Sequence, residues 1–175
     1  MQVLEVGTAI GFSALLMSEY APKGCHITTI EKYDKRIPLA RENFKKAGKE
    51  QDITLIEGDA TEVLANLTES YDMIFMDHMM PFMDGVEATQ KIRAIQTEYA
   101  QELPIVALTA NAIKGVERQF KEAGMNDYIS KPIHMKQLSD ILEKWIPIAK
   151  QVRIMDGKEI AAPRSYFTNP MLKKE

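Results

Sequence analysis

The chain has 175 residues, 45% of them hydrophobic and 27% charged, which is the composition of a folded globular protein and not of a disordered one. A formal net charge of −3 and an isoelectric point near 5.7 give no electrostatic case for nucleic acid or an anionic membrane surface as partner. No apolar run approaches the roughly 20 residues that cross a bilayer, and the lone cysteine, Cys25, rules out an intramolecular disulfide and points to a reducing, cytoplasmic setting.

The opening MQVLEV reads as a strand and not as a charged-then-apolar leader. Strand 2–6 runs straight into the glycine turn VGTAIG and a helix over 11–20. There follow strand 26–31 (HITTIE), helix 33–47, strand 53–57 (ITLIE) and helix 61–67. The second half repeats the alternation: strand 71–77, helix 84–99, strand 104–109 (PIVALT), helix 113–123, strand 127–130 (DYIS) and helix 135–146. In the last helix Leu138, Ile141, Leu142 and Trp145 share one face at helical spacing. Short, near-continuous apolar strands separated by helices imply a parallel sheet covered on both faces and wound by right-handed crossovers. The expected fold is a doubly wound, three-layer α/β/α sheet of the Rossmann or flavodoxin kind, one domain over 1–147. Residues 148–175, without a sustained period, read as a peripheral tail with one extended segment at Val152–Met155. His26, His78 and His134 stand too far apart for a zinc pattern, and the eleven methionines read as core filling.

In the first half, Gly7 and Gly11 let backbone approach a ligand beside a helix N-terminus with free N–H groups. Glu31, at the end of the second strand, stands where an acid accepts hydrogen bonds from ribose hydroxyls. EGDA follows the third strand and brings Gly58, Asp59 and Ala60 to the same crevice. Together these residues resemble the class I S-adenosylmethionine-dependent methyltransferases, in particular the O-methyltransferase group related to the catechol and caffeoyl-CoA enzymes, over residues 1 to about 77. The resemblance implies that the turn from Glu5 through Gly7, Thr8 and Gly11 takes the methionine end of S-adenosylmethionine or S-adenosylhomocysteine. It also implies that Glu31 holds the ribose, and that Asp59 and Ala60 meet the adenine. Ala9 departs from the glycine that many members carry.

From about residue 70 to 147 a different family shows. DHMMPFMDG, ALTANA and SKPI, at the ends of three successive strands, resemble the receiver domains of response regulators, with wording close to the receivers of hybrid histidine kinases. The resemblance implies that Asp77 accepts a phosphoryl group, Thr109 bonds a phosphoryl oxygen and Lys131 balances its charge. Tyr128 would be the aromatic that follows Thr109, Lys131–Pro132 a cis junction, and a histidine kinase the partner.

Where the halves meet, each lacks something. Receivers carry two acids at the end of the first strand to hold magnesium beside the phosphoacceptor; here Gly7 and Thr8 stand there, and Glu5 lies deeper. Asp77 is left as the one metal-ligand candidate, with Asn111 a coincidental second, and without a metal phosphoryl transfer loses its main electrostatic support. The methyltransferase half lacks the covering helices and any means of orienting an acceptor. The expectation is therefore a chimera, recombined or engineered, with sheet order 3-2-1-4-5-6 and a ligand crevice between strands 1 and 4. Residual binding of the nucleoside cofactor without efficient catalysis is the leading reading. A phosphorelay receiver acting through Asp77, a working O-methyltransferase and a fold without a ligand are the alternatives.

Overall fold

The computed structural model of the chain describes residues 1–22, 24–81, 83–110 and 115–146, and the backbone of 152–155 and 158–161. Six strands form one parallel sheet: β1 (Gln2–Val6), β2 (His26–Glu31), β3 (Ile53–Glu57), β4 (Met73–Asp77), β5 (Ile105–Thr109) and β6 (Asp127–Ser130), in the order β3-β2-β1-β4-β5-β6. The halves of the sequence meet at the β1–β4 pair, in the register Val3↔Met73 to Val6↔Met76. Because side chains alternate along a strand, each strand feeds two cores. Val3, Ile27, Ile53, Met73, Phe75, Val106, Leu108 and Ile129 meet α1 (Phe12–Tyr20), α2 (Ile37–Lys46) and α7 (Met135–Trp145). Leu4, Val6, Ile30, Ile74, Met76, Ile105 and Ala107 meet α3 (Ala60–Asn66), α4 (Gly85–Arg93), α5 (Glu98–Glu102) and α6 (Val116–Ala123). The doubly wound sheet and its strand order are those expected from the sequence.

Caps place the helices. Asp59 Oδ1 accepts from Thr61 N (2.8 Å) at the start of α3, and Asp84 Oδ1 from Glu87 N (2.8 Å) at the start of α4; an uncapped N–H left there costs about 1 kcal/mol. One expectation changes. The helix read over 84–99 is two: α4 ends at Arg93, and Thr97 caps α5 by accepting from Ala100 N (3.2 Å). The Arg93 guanidinium locks the break. It donates to the carbonyls of Ala100 (2.6 Å), Leu103 (2.8 Å) and Gly124 (3.0 Å) and to Asn126 Oδ1 (2.8 Å). In the tail, the extended segment β7 (Val152–Met155) pairs antiparallel with a strand the sequence did not suggest, β8 (Lys158–Ala161).

Candidate functional site

The carboxyl ends of β1, β2 and β4 open on a shallow crevice lined by Gly7, Ala9, Glu31, Gly58, Asp59, Ala60 and Asp77, with Lys32, Arg36, Met79, Met80, Pro81 and Met83 also lining it among the described residues. Residues from both halves of the sequence thus share one hollow, at the point where the winding of the sheet reverses. Its enclosed volume is only about 50 Å³.

Asp77 ends β4 and is mostly buried. Its Oδ2 accepts a hydrogen bond from Lys131 Nζ at 2.9 Å, an ion pair that spans two strand ends 54 residues apart in sequence, and its Oδ1 accepts from Met79 N at 3.2 Å. The Lys131–Pro132 bond is cis. Two glycines make room for Asp77. A Cβ on Gly85 would lie 2.5 Å from the Asp77 carbonyl oxygen, and a Cβ on Gly7 (φ 102°) would lie 2.6 Å from Asp77 Cβ, so backbone packs where a side chain cannot. Thr109 is buried at the end of β5, and its hydroxyl lies 3.3 Å from His78 Nδ1. The His78 ring meets the edge of Phe120 (centroids 4.9 Å apart), and Phe120 tilts against Tyr128 (6.3 Å). Tyr128 therefore connects to Thr109 through two intervening rings. His78 was not picked out from the sequence, although it follows Asp77 directly.

The cradle residues hold one another. Glu31 Oε2 accepts from Ala9 N (2.7 Å) and Oε1 from Lys32 N (3.0 Å) and Tyr33 N (2.9 Å). That carboxylate pins the turn, with Ala9 at φ 51° in a region that costs a non-glycine residue about 1 kcal/mol or more. Asp59 caps α3 with one oxygen and pairs with Lys32 Nζ through the other (2.9 Å). The Lys32 hydrogen bond and then the Thr61 amide hold its carboxyl down at about 2. Lys32 was not foreseen; it follows Glu31 in sequence and closes the far side of the cradle. Gly11, at φ 86°, starts α1 and leaves room for the Phe44 ring. Glu5 and Thr8 are buried beneath the turn, outside the crevice lining. Glu5 accepts from Ser13 Oγ and from Thr29 Oγ1 (2.5 Å), and Thr8 Oγ1 lies 2.6 Å from Thr29 Oγ1. Burial pushes the Glu5 carboxyl up to about 7, against the pull of those hydroxyls.

The response regulator receiver domain matches residues 37–143, more than half of the chain. The chain belongs to the response regulator receiver domain family. The receiver is 42% identical over 99 residues to the sensor protein GacS of Pseudomonas syringae pv. syringae, a match covering 56% of this chain but 11% of GacS. It is also similar to the receiver domain of the sensor histidine kinase PA1611 of Pseudomonas aeruginosa, whose crystal structure has magnesium in the active site cleft. That likeness has 28% identity and a TM-score of 0.49, covering 82% of this chain and 95% of that one. A methyltransferase of Podospora anserina, solved with S-adenosylhomocysteine, is 39% identical over 42% of this chain and 32% of its own, with a TM-score of 0.41. The receiver spans about a tenth of its curated relative.

The donor set does not fit the magnesium that receivers hold. Octahedral magnesium wants carboxylate oxygens and water. Asp77 brings one carboxylate, already paired with Lys131; Gly7 and Thr8 bring none; and Glu5 is sealed between Ser13 and Thr29. Among the described residues no group of three or more His, Cys, Asp or Glu side chains could hold a metal ion. Asn111 lies outside the described residues. Among the described residues no helix is long and apolar enough to cross a membrane.

Proposed function

We propose that this receiver takes a phosphoryl group on Asp77, slowly, and that its partner is a histidine kinase or a phosphohistidine carrier. One observation carries the reading: Asp77 and Lys131 meet at 2.9 Å at the sheet's carboxyl edge, where Thr109 ends the neighbouring strand β5. A carboxylate oxygen of Asp77 attacks phosphorus, the bond from phosphorus to the donor's nitrogen breaks, and the departing imidazole keeps the electron pair and gains a proton. Lys131 moves its ammonium from the carboxylate to the new phosphoryl oxygens, and Thr109 turns from His78 to donate to one of them. With Lys131 as the cation paired with Asp77 among the described residues, and no second carboxylate to hold a metal there, the developing charge is only partly neutralised, which is the reason for slow transfer. The test is incubation with acetyl phosphate or phosphoramidate and intact-mass measurement. A single phosphoryl adduct absent from Asp77→Asn supports the proposal; an unmodified parent protein overturns it.

A second reading is favoured by the crevice. Gly7, Glu31, Gly58, Asp59 and Ala60 line one hollow, which supports a nucleoside ligand of the S-adenosylhomocysteine kind. On this reading the chain joins a methyltransferase-like first half to a receiver second half at β4, within one domain over 1–147. It is a binding site without methyl transfer, since nothing orients an acceptor. A ligand-enclosing pocket has about 300–1,000 Å³, so a nucleoside here lies mostly open to water and binds weakly. Calorimetric titration with S-adenosylhomocysteine decides: saturable heat lost in both Glu31→Ala and Asp59→Ala supports it, and no heat in the parent protein removes it.

A further inference from the structure

A hollow far larger than the crevice, about 420 Å³, lies between α3 and α4–α5 and shares Met83 with it. Its floor is Leu4 and Ile74 of the sheet, and its walls are Leu64 and Leu67 on one side and Ile92 and Ile95 on the other. The two walls are apolar stripes at helical spacing that do not reach each other. Val63, Leu64 and Leu67 belong to one stripe, yet α3 has no buried residue. Ala88, Ile92 and Ile95 form the other, and Ile95 is 51% exposed. Amphipathic helices normally close such stripes on each other; here α3 is only 7 residues long and leaves the space open.

We infer that this hollow binds a small amphipathic monoanion, an alkyl or aryl body with one acidic head. The volume lies within the range of small-molecule sites, which are mostly apolar with a few polar groups. The charge argument sets the head group: Lys91 is the one charged residue among the described residues lining the hollow, and none is acidic. Its ammonium lies 3.6 Å from Met83 Sδ, a residue of the same lining, and is otherwise held by Glu87 in an exposed i,i+4 pair (2.9 Å), an interaction weak enough for a ligand carboxylate to replace. This hollow shares Met83 with the crevice, and the Thr61 amide of its lining donates to Asp59, but Asp77 does not line it.

The test is fluorescence titration of the full chain with anilinonaphthalene sulfonate, a single-sulfonate aryl probe, and with neutral phenylnaphthylamine, with octanoate as competitor. The expected result is one saturable site that octanoate empties. Lys91→Met should weaken the sulfonate probe about fivefold and leave the neutral probe unchanged. Leu64→Trp, which fills the hollow, should weaken both probes about tenfold or more. Ile95→Glu, at a half-exposed wall position, should weaken the sulfonate more than the neutral probe. Cooperative melting of each variant separates this site from probe binding to a loosened core. No saturable binding in the parent protein overturns the inference. Equal loss of both probes in Lys91→Met overturns the anionic class, and a dimer in sedimentation that excludes the probe shows that a second copy covers the face instead.

Discussion

At the scale of single residues, Glu5 is the most consequential group that the sequence left obscure. It is fully buried, bound by Ser13 and Thr29, and its carboxyl is pushed up from 4.5 to about 7 by burial. Between those values the folded protein binds the Glu5 proton more tightly than the unfolded chain does, so stability from this group is present below about 4.5 and is lost as pH rises toward 7. The full difference is on the order of 3 kcal/mol. Glu5→Gln should therefore flatten the decline in urea midpoint between pH 5 and pH 8, and be the more stable protein at the upper end; parallel pH curves for the two proteins would contradict this. Asp59 acts in the opposite sense. Its carboxyl, held at about 2 by Lys32 and Thr61, adds stability that is present above about 4 and lost as pH falls toward 2. Gly85 makes a steric prediction. With the Asp77 carbonyl 2.5 Å from where a Cβ would sit, Gly85→Ala should cost about 1–3 kcal/mol in chemical denaturation.

Among the elements, the α4–α5 break depends on Arg93, whose four hydrogen bonds tie it to α5, to the turn after α6 and to Asn126. Arg93→Ala strips acceptors that are partly out of water and should destabilise by about 2–4 kcal/mol, measured by thermal unfolding. Arg93→Lys should recover little, since an ammonium cannot reproduce the planar fork. The same place marks the limit of reading from pattern. The apolar period over 84–99 continues without a pause, and only the Thr97 cap and the Arg93 contacts, 7 to 33 residues apart in sequence, divide it. The strands were more legible, because a buried parallel strand must be apolar throughout; all six lie within two residues of expectation. β8 escaped because KEIA carries too short an alternation to register, and it becomes a strand only by pairing with β7.

For the whole molecule, β1 and β4 are central neighbours, so each half of the chain supplies an edge that the other covers. Cooperative unfolding should follow. Trp145, on α7, reports on the second half, and Cys25, just before β2, on the first. Tryptophan fluorescence and thiol protection should lose their folded signals at one urea concentration; two separated transitions would show that the halves are independent domains. The Asp77 chemistry also belongs to this scale, since its lysine partner comes from the segment after β6, and the glycines backing it follow β1 and open α4.

What the sequence determined by itself was local and periodic: the six strands, their parallel winding, the order β3-β2-β1-β4-β5-β6, and the strand-end residues Asp77, Thr109 and Lys131. Those follow from apolar runs and motifs that need no distant contact to be recognised. Only the tertiary structure decided which of those groups meet. It put Lys131 on Asp77, bound Thr109 to His78, spent Glu31 on the Ala9 amide and Asp59 on Lys32, and sealed Glu5 beneath the turn. It also left the walls of α3 and α4 apart over an apolar hollow. The physical reason is that a hydrogen bond or a buried charge depends on distance in space, and residues 8 to 54 positions apart in sequence acquire that distance only when the sheet assembles.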